Sequence, residues 1–100
     1  MISWIIKLIF GVVGLVAAGI IVQKIVKHYL DRQEATRIAL EFAQQHAKKI
    51  DKAIVEGIQL GACNYVDIGL YSDYEKIATL NVEVRGTISK DLRKNDILFN

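Results

Sequence analysis

Proline is absent from this 100-residue chain, cysteine occurs once and histidine twice. Each scarcity removes a class of explanation. Without proline, no turn is fixed by a pyrrolidine ring and no helix is interrupted by one. The single thiol, Cys63, excludes an intrachain disulfide framework and permits a reducing compartment without demanding one. The imidazoles His28 and His46 stand far apart in sequence; on one helix they are about 27 Å from each other and cannot share a metal ion. A net charge of +2 is too small to point to nucleic acid. Asp73, Glu75 and Asp96 match no calcium-loop spacing, and no phosphate-cradling glycine loop or zinc pattern occurs. The expectation is a protein that is not an enzyme, with no cofactor, no metal and no nucleic-acid partner, and with no identifiable small-molecule substrate.

What the chain does have is an apolar run from Met1 to Val22, broken only by Ser3 and Lys7. As a helix it is about 30 Å long, the thickness of the bilayer hydrocarbon. The spacing predicts a single-pass transmembrane anchor over residues 1–26. Val16-Ala17-Ala18 before Gly19 has the small-residue character of a signal-peptidase site. Ile20, Ile21, Val22, Ile25 and Val26 carry the apolar pattern past it, so a retained signal-anchor is expected. Lys7 is expected to snorkel to the headgroups and Trp4 to sit at the interface. Gly11, Gly14 and Ala18 give the anchor a small-residue face for packing on a second copy or another membrane protein. Lys24, Lys27, Arg32 and Arg37 follow the anchor, and the positive-inside rule puts the remaining domain in the cytoplasm.

Residues 27–100 read as a small α+β domain. Ile38, Ala39, Phe42, Ala43, His46, Ile50, Ala53, Ile54 and Gly57 recur at three- and four-residue steps, predicting an amphipathic helix over about 31–57. It continues from the anchor with at most a slight bend, because residues 20–56 hold neither proline nor glycine. The alternative is a new start at Asp31, with Glu34 completing a capping box. Gly57 or Gly61 supplies the stop. Residues 62–71 alternate, with Val66, Ile68 and Leu70 on one face and Tyr65, Asp67, Gly69 and Tyr71 on the other. Residues 77–88 do the same, with Ala78, Leu80, Val82 and Val84 inward. Ser72 to Lys76 form the hairpin loop between them, and Gly86 marks a bulge or bend. Residues 96–99 provide a short third strand. The expected fold is an anchor helix running into an amphipathic helix packed on a small antiparallel sheet, a hairpin or three-stranded meander.

The stretch from Tyr29 through Ala39, Ala43 and Ala47 to Leu60-Gly61, then Ala78-Thr-Leu-Asn-Val-Glu-Val-Arg-Gly86-Thr, resembles the cytochrome oxidase complex assembly protein 1 family. The likeness spans about two-thirds of the chain. A proline that often follows Leu-Gly in that family is missing, and Ser72 to Lys76 replace its glycine-rich hairpin. The resemblance implies a non-enzymatic factor that aids assembly of a respiratory membrane complex. It also implies a domain on the side equivalent to the periplasm, opposite to the charge count.

Cys63 and His46 are the one pair whose residue types suit nucleophilic catalysis, but no third group orients them. A buried structural thiol and a partly buried core histidine are the plainer roles. Tyr65, Tyr71 and Tyr74 cluster around the hairpin, where a sheet with one helix leaves its other face uncovered. They are candidate partner-docking residues, tyrosine being favoured at interface centres. The functional expectation is a membrane-anchored protein-interaction or assembly factor that binds the lipid bilayer and a membrane protein or its own copies. The alternative is a pilin-like extracytoplasmic subunit that self-assembles through its apolar helix.

Overall fold

A β-branched stretch begins the long strands of the sheet. Ile20, Ile21, Val22, Ile25 and Val26 favour the pleated conformation, and Ile20–Leu30 forms a strand, β2. The structure, a computed structural model, describes residues 15–17, 20–46 and 49–100. A three-residue strand, β1 (Leu15–Ala17), pairs antiparallel with the start of β2, Leu15 opposite Val22 and Ala17 opposite Ile20.

Asp31 then ends the strand and starts a helix. Its side chain accepts a hydrogen bond from the Glu34 N–H at 2.8 Å while its own backbone stays extended. Helix α1 (Arg32–Gln45) buries Ala35, Ile38 and Ala39, with Phe42 and Ala43 packed beside them. At its first turn Glu34 hydrogen-bonds Arg37 and reaches Lys27 of β2 at 3.1 Å. The Arg37 hydrogen bonds, aided by Lys27, hold the Glu34 carboxyl down to about 2, against a smaller opposing effect of burial.

Four more strands follow: β3 (Lys52–Gln59), β4 (Asn64–Ser72), β5 (Glu75–Ile88) and β6 (Ile97–Phe99). The sheet order is β1-β2-β5-β4-β3-β6. β2 lies parallel to β5, Ile21 opposite Ala78 and Leu30 opposite Ile88; the other pairings are antiparallel. α1 thus carries the chain from the far end of β2 back to the near end of β3, across the two strands between them. Its buried stripe joins Val55, Val66, Ile68, Leu70, Leu80 and Val82 in one core on one face of the sheet.

The α+β class and the central hairpin agree with the expectation. The inward residues of β4 and β5 are those named from alternation, all buried. Three differences are corrections. First, the helix expected over 31–57 ends at Gln45, and residues 52–59 form β3. Ala53, Ile54, Val55 and Ile58 fit a helical stripe and a strand equally over so short a run. The edge of β4 supplies a full ladder of hydrogen bonds, and that decides for the strand. Second, the sheet has six strands among the described residues, not two or three, because β1, β2 and β3 were read as helix. Third, residues 20–30 do not continue an anchor helix: they form β2, and the break falls at the Asp31 cap. Of the anchor expected over 1–26, residues 1–14, 18 and 19, with Trp4, Lys7 and the packing residues Gly11, Gly14 and Ala18, lie outside the described residues. Among the described residues no helix is long and apolar enough to cross a membrane.

Gly86 sits close against the backbone of β2. A Cβ there would run into the His28 carbonyl oxygen. The ladder slips at this point, between Lys27 and Tyr29, so the expected irregularity lies in the β2–β5 pairing.

Candidate docking surface

α1 covers one face of the sheet; among the described residues no element covers the other. That open face is ordered in rows by strand register. Val22, Thr79, Gly69 and Ile54 form one row, Lys24, Asn81, Asp67 and Gly57 the next, and Val26, Glu83, Tyr65 and Gln59 a third.

Two polar groups occupy the middle of the face. The first is built by a bulge: Val55 is opposite Ile68 and Gly57 opposite Asp67, so Glu56 is the extra residue of β3. Its carboxylate lies across Gly69, where any side chain would run into it. Tyr71 Oη donates to Glu56 Oε2, and Lys76 Nζ approaches Glu56 Oε1 at 2.6 Å. The bond to Glu56, with burial, pushes the Tyr71 phenol up to about 12. The second is the Asn81 amide donating to Asp67 Oδ1 at 2.6 Å. Both groups sit half-buried and satisfied, so they fix the face rather than wait for a ligand.

The three tyrosines therefore separate. Tyr71 is engaged by Glu56. Tyr65 stands at the opposite end of β4, where its hydrogen bond with Cys63 raises its phenol above the ordinary value. Tyr74 is at the turn between β4 and β5 and is 97% exposed. Asp73 and Tyr74 both have positive φ, 52° and 68°, the geometry of a two-residue type I′ turn. The Asp73 N–H donates to Asp51 Oδ2 at 3.1 Å, tying the turn to the approach of β3.

Cys63 is exposed in the β3–β4 turn, which corrects the buried structural thiol. In β4 its place would have been an open-face position, so no core was there to receive it. His46 is half-buried, its ring stacked on Phe42 with centroids 5.7 Å apart. It precedes β3 while Cys63 follows it, so the length of that strand, about 26 Å, separates the two. No nucleophile–base pair forms from them. No group of His, Cys, Asp and Glu among the described residues could hold a metal ion.

The other uncovered feature is the outer edge of β2. β1 pairs with Ile20, Ile21 and Val22, leaving residues 23–30 of that edge without a neighbouring strand among the described residues. Val26 and Tyr29 on it are 47% and 51% exposed. On the helical face, an open apolar groove of about 430 Å³ lies between the end of α1 and β6, lined by Leu40, Ala43, Ile50 and Phe99.

Sequence reasoning missed Glu56 and the β2 edge. The first had a signal. Ala53, Val55 and Ile58 change phase in their alternation, and a Glu-Gly step at a phase change marks a bulge. The sequence matches no protein-family model, and neither a curated protein nor a solved structure was found similar to it.

Proposed function

We propose that this chain is a membrane-tethered docking module: an assembly or interaction factor for a membrane complex that works by holding a partner rather than by transforming a substrate. The apolar segment from Met1 to Gly19 has the length of a bilayer span, about 28 Å as a helix. β1 occupies only Ile20, Ile21 and Val22 of the outer edge of β2, and residues 23–30 of that edge have no neighbouring strand among the described residues.

That edge carries the reading. An eleven-residue strand with exposed Val26 and Tyr29 directly follows the apolar segment. Long uncovered edges receive extended segments of other chains by strand addition, backbone bonds giving affinity and alternate side chains specificity. β1 already seats an extended segment antiparallel on the first three residues. Tethering adds to this, because a domain confined to the membrane meets a membrane partner at high effective concentration.

A photocrosslinker at Tyr29, in native membranes, tests the edge. The expected outcome is one dominant membrane-protein adduct, reduced about tenfold or more by Val26→Asp with the thermal melt unchanged. Adduct yield at the wild-type level in Val26→Asp overturns docking at this edge.

A further inference from the structure

The ionisable side chains along β2 are all bases. Residues 20–30 hold Lys24, Lys27 and His28, and no Asp or Glu occurs in the first thirty positions of the chain. On the side of the sheet that faces α1 the charge is closed. Lys27 meets Glu34 at 3.1 Å, and Arg37 bridges Glu34 and Glu41, so two bases stand against two carboxylates. On the open face it is not. Lys24 is exposed and has no ion partner among the described residues. The carboxylates of its own row and the next are engaged elsewhere: Asp67 accepts from the Asn81 amide at 2.6 Å, and Glu83 holds Arg85 at 2.9 Å.

A second such base stands at the far end of the same strand. The Ser89 N–H donates to the Leu30 carbonyl at 2.8 Å and the Arg32 N–H donates to Asp91 Oδ1 at 3.2 Å, which pins the intervening turn to the junction of β2 and α1. Lys90, between Ser89 and Asp91, is exposed and has no ion partner among the described residues. The edge from residue 23 to 30 therefore runs between two uncompensated charges, with exposed Val26 and Tyr29 along it. These charges select among occupants. A second copy of β2 brings the same bases and no carboxylate onto one short ribbon, where like charges oppose pairing. The residues before β2 hold no carboxylate either. An acidic strand of another protein meets both needs: its backbone completes the ladder, and its carboxylates fall where the edge lacks them.

We propose that the segment received by the β2 edge is an extended acidic strand of a partner protein. It runs antiparallel to β2, with an apolar side chain against Val26 and a carboxylate two residues later against Lys24. This rests on the strand-addition reading of that edge given above and names the chemistry of what is added. The direction follows β1, which the same edge seats antiparallel. The two-residue step follows the pleat, because Val26 and Lys24 lie in adjacent rows of one face. A further carboxylate toward the start of the partner segment falls near Lys90. An exposed charge pair adds little affinity. Its main effect is choice of partner and of register, since a one-residue slip carries the carboxylate to the other face.

The test uses the full chain in its native membranes, with the photocrosslinker at Tyr29. Lys24→Arg is expected to give the wild-type yield of adduct and Lys24→Glu about fivefold less, both with the thermal melt unchanged. Mass mapping of the crosslinked partner segment is expected to find an Asp or Glu two residues after an apolar one. If Lys24→Glu crosslinks as well as wild type while Val26→Asp does not, the edge docks a strand and the acidic partner is overturned. An adduct that maps to this chain itself, to a second copy or internally, overturns it as well. If Val26→Asp crosslinks at the wild-type level, docking at the edge falls and this inference falls with it.

Discussion

Tyr71 donates its phenolic proton to Glu56, and this bond favours the neutral ring. Its ionisation is pushed from the ordinary 10 up to about 12 in the folded chain. The sign follows: the stability from this bond is whole below pH 10 and is lost as the pH rises through about 12. Ultraviolet titration of the phenolates is expected to show a late step at the high end, and Tyr71→Phe to remove it while the fold persists. Gly86 is a steric case. Its neighbour is the His28 backbone, which cannot rotate aside as a side chain would. Gly86→Ala is expected to destabilise the domain by about 2 kcal/mol, read as a lower denaturant midpoint with an unchanged slope. Such single positions were only partly legible in the sequence. Gly86 announced itself as a glycine within a clean alternation. The Glu56–Tyr71–Lys76 group did not, because three side chains from three strands meet only once the register is known.

Among the elements, α1 and β3 show how a pattern is divided. The stripe from Ile38 to Ala43 is helical because its start is fixed by Asp31 and its salt-bridged first turn. The stripe from Ala53 to Ile58 is strand because β4 offers it a ladder. Nothing local separates them: no glycine or proline lies between Asp31 and Gly57. Sequence periodicity alone therefore ran the two together, and the tertiary partner decided. The Asp31–Glu34 signature, by contrast, was readable and marks the true start of the helix. Asp31→Ala leaves the Glu34 N–H without its capping oxygen. The expected cost is about 1 kcal/mol, seen as a lower thermal midpoint, with Asp31→Asn restoring most of it.

For the molecule as a whole, the hairpin of β4 and β5 was legible because its contacts are local and its alternation clean. β2 was not, because its partner is remote and the apolar run before it dominates any hydropathy reading. That remoteness has a consequence for the chain as it is made. On its inner edge Ile21 pairs with Ala78, fifty-seven positions later. At about 5–20 residues per second of synthesis, the first long strand waits roughly 3–12 s for its neighbour. Throughout that interval the inner edge of a β-branched segment stands unpaired, the condition under which nascent chains stick to one another. Under the proposed anchoring, a leader already held in lipid would keep sister polypeptides apart during the delay, a role in biogenesis separate from docking.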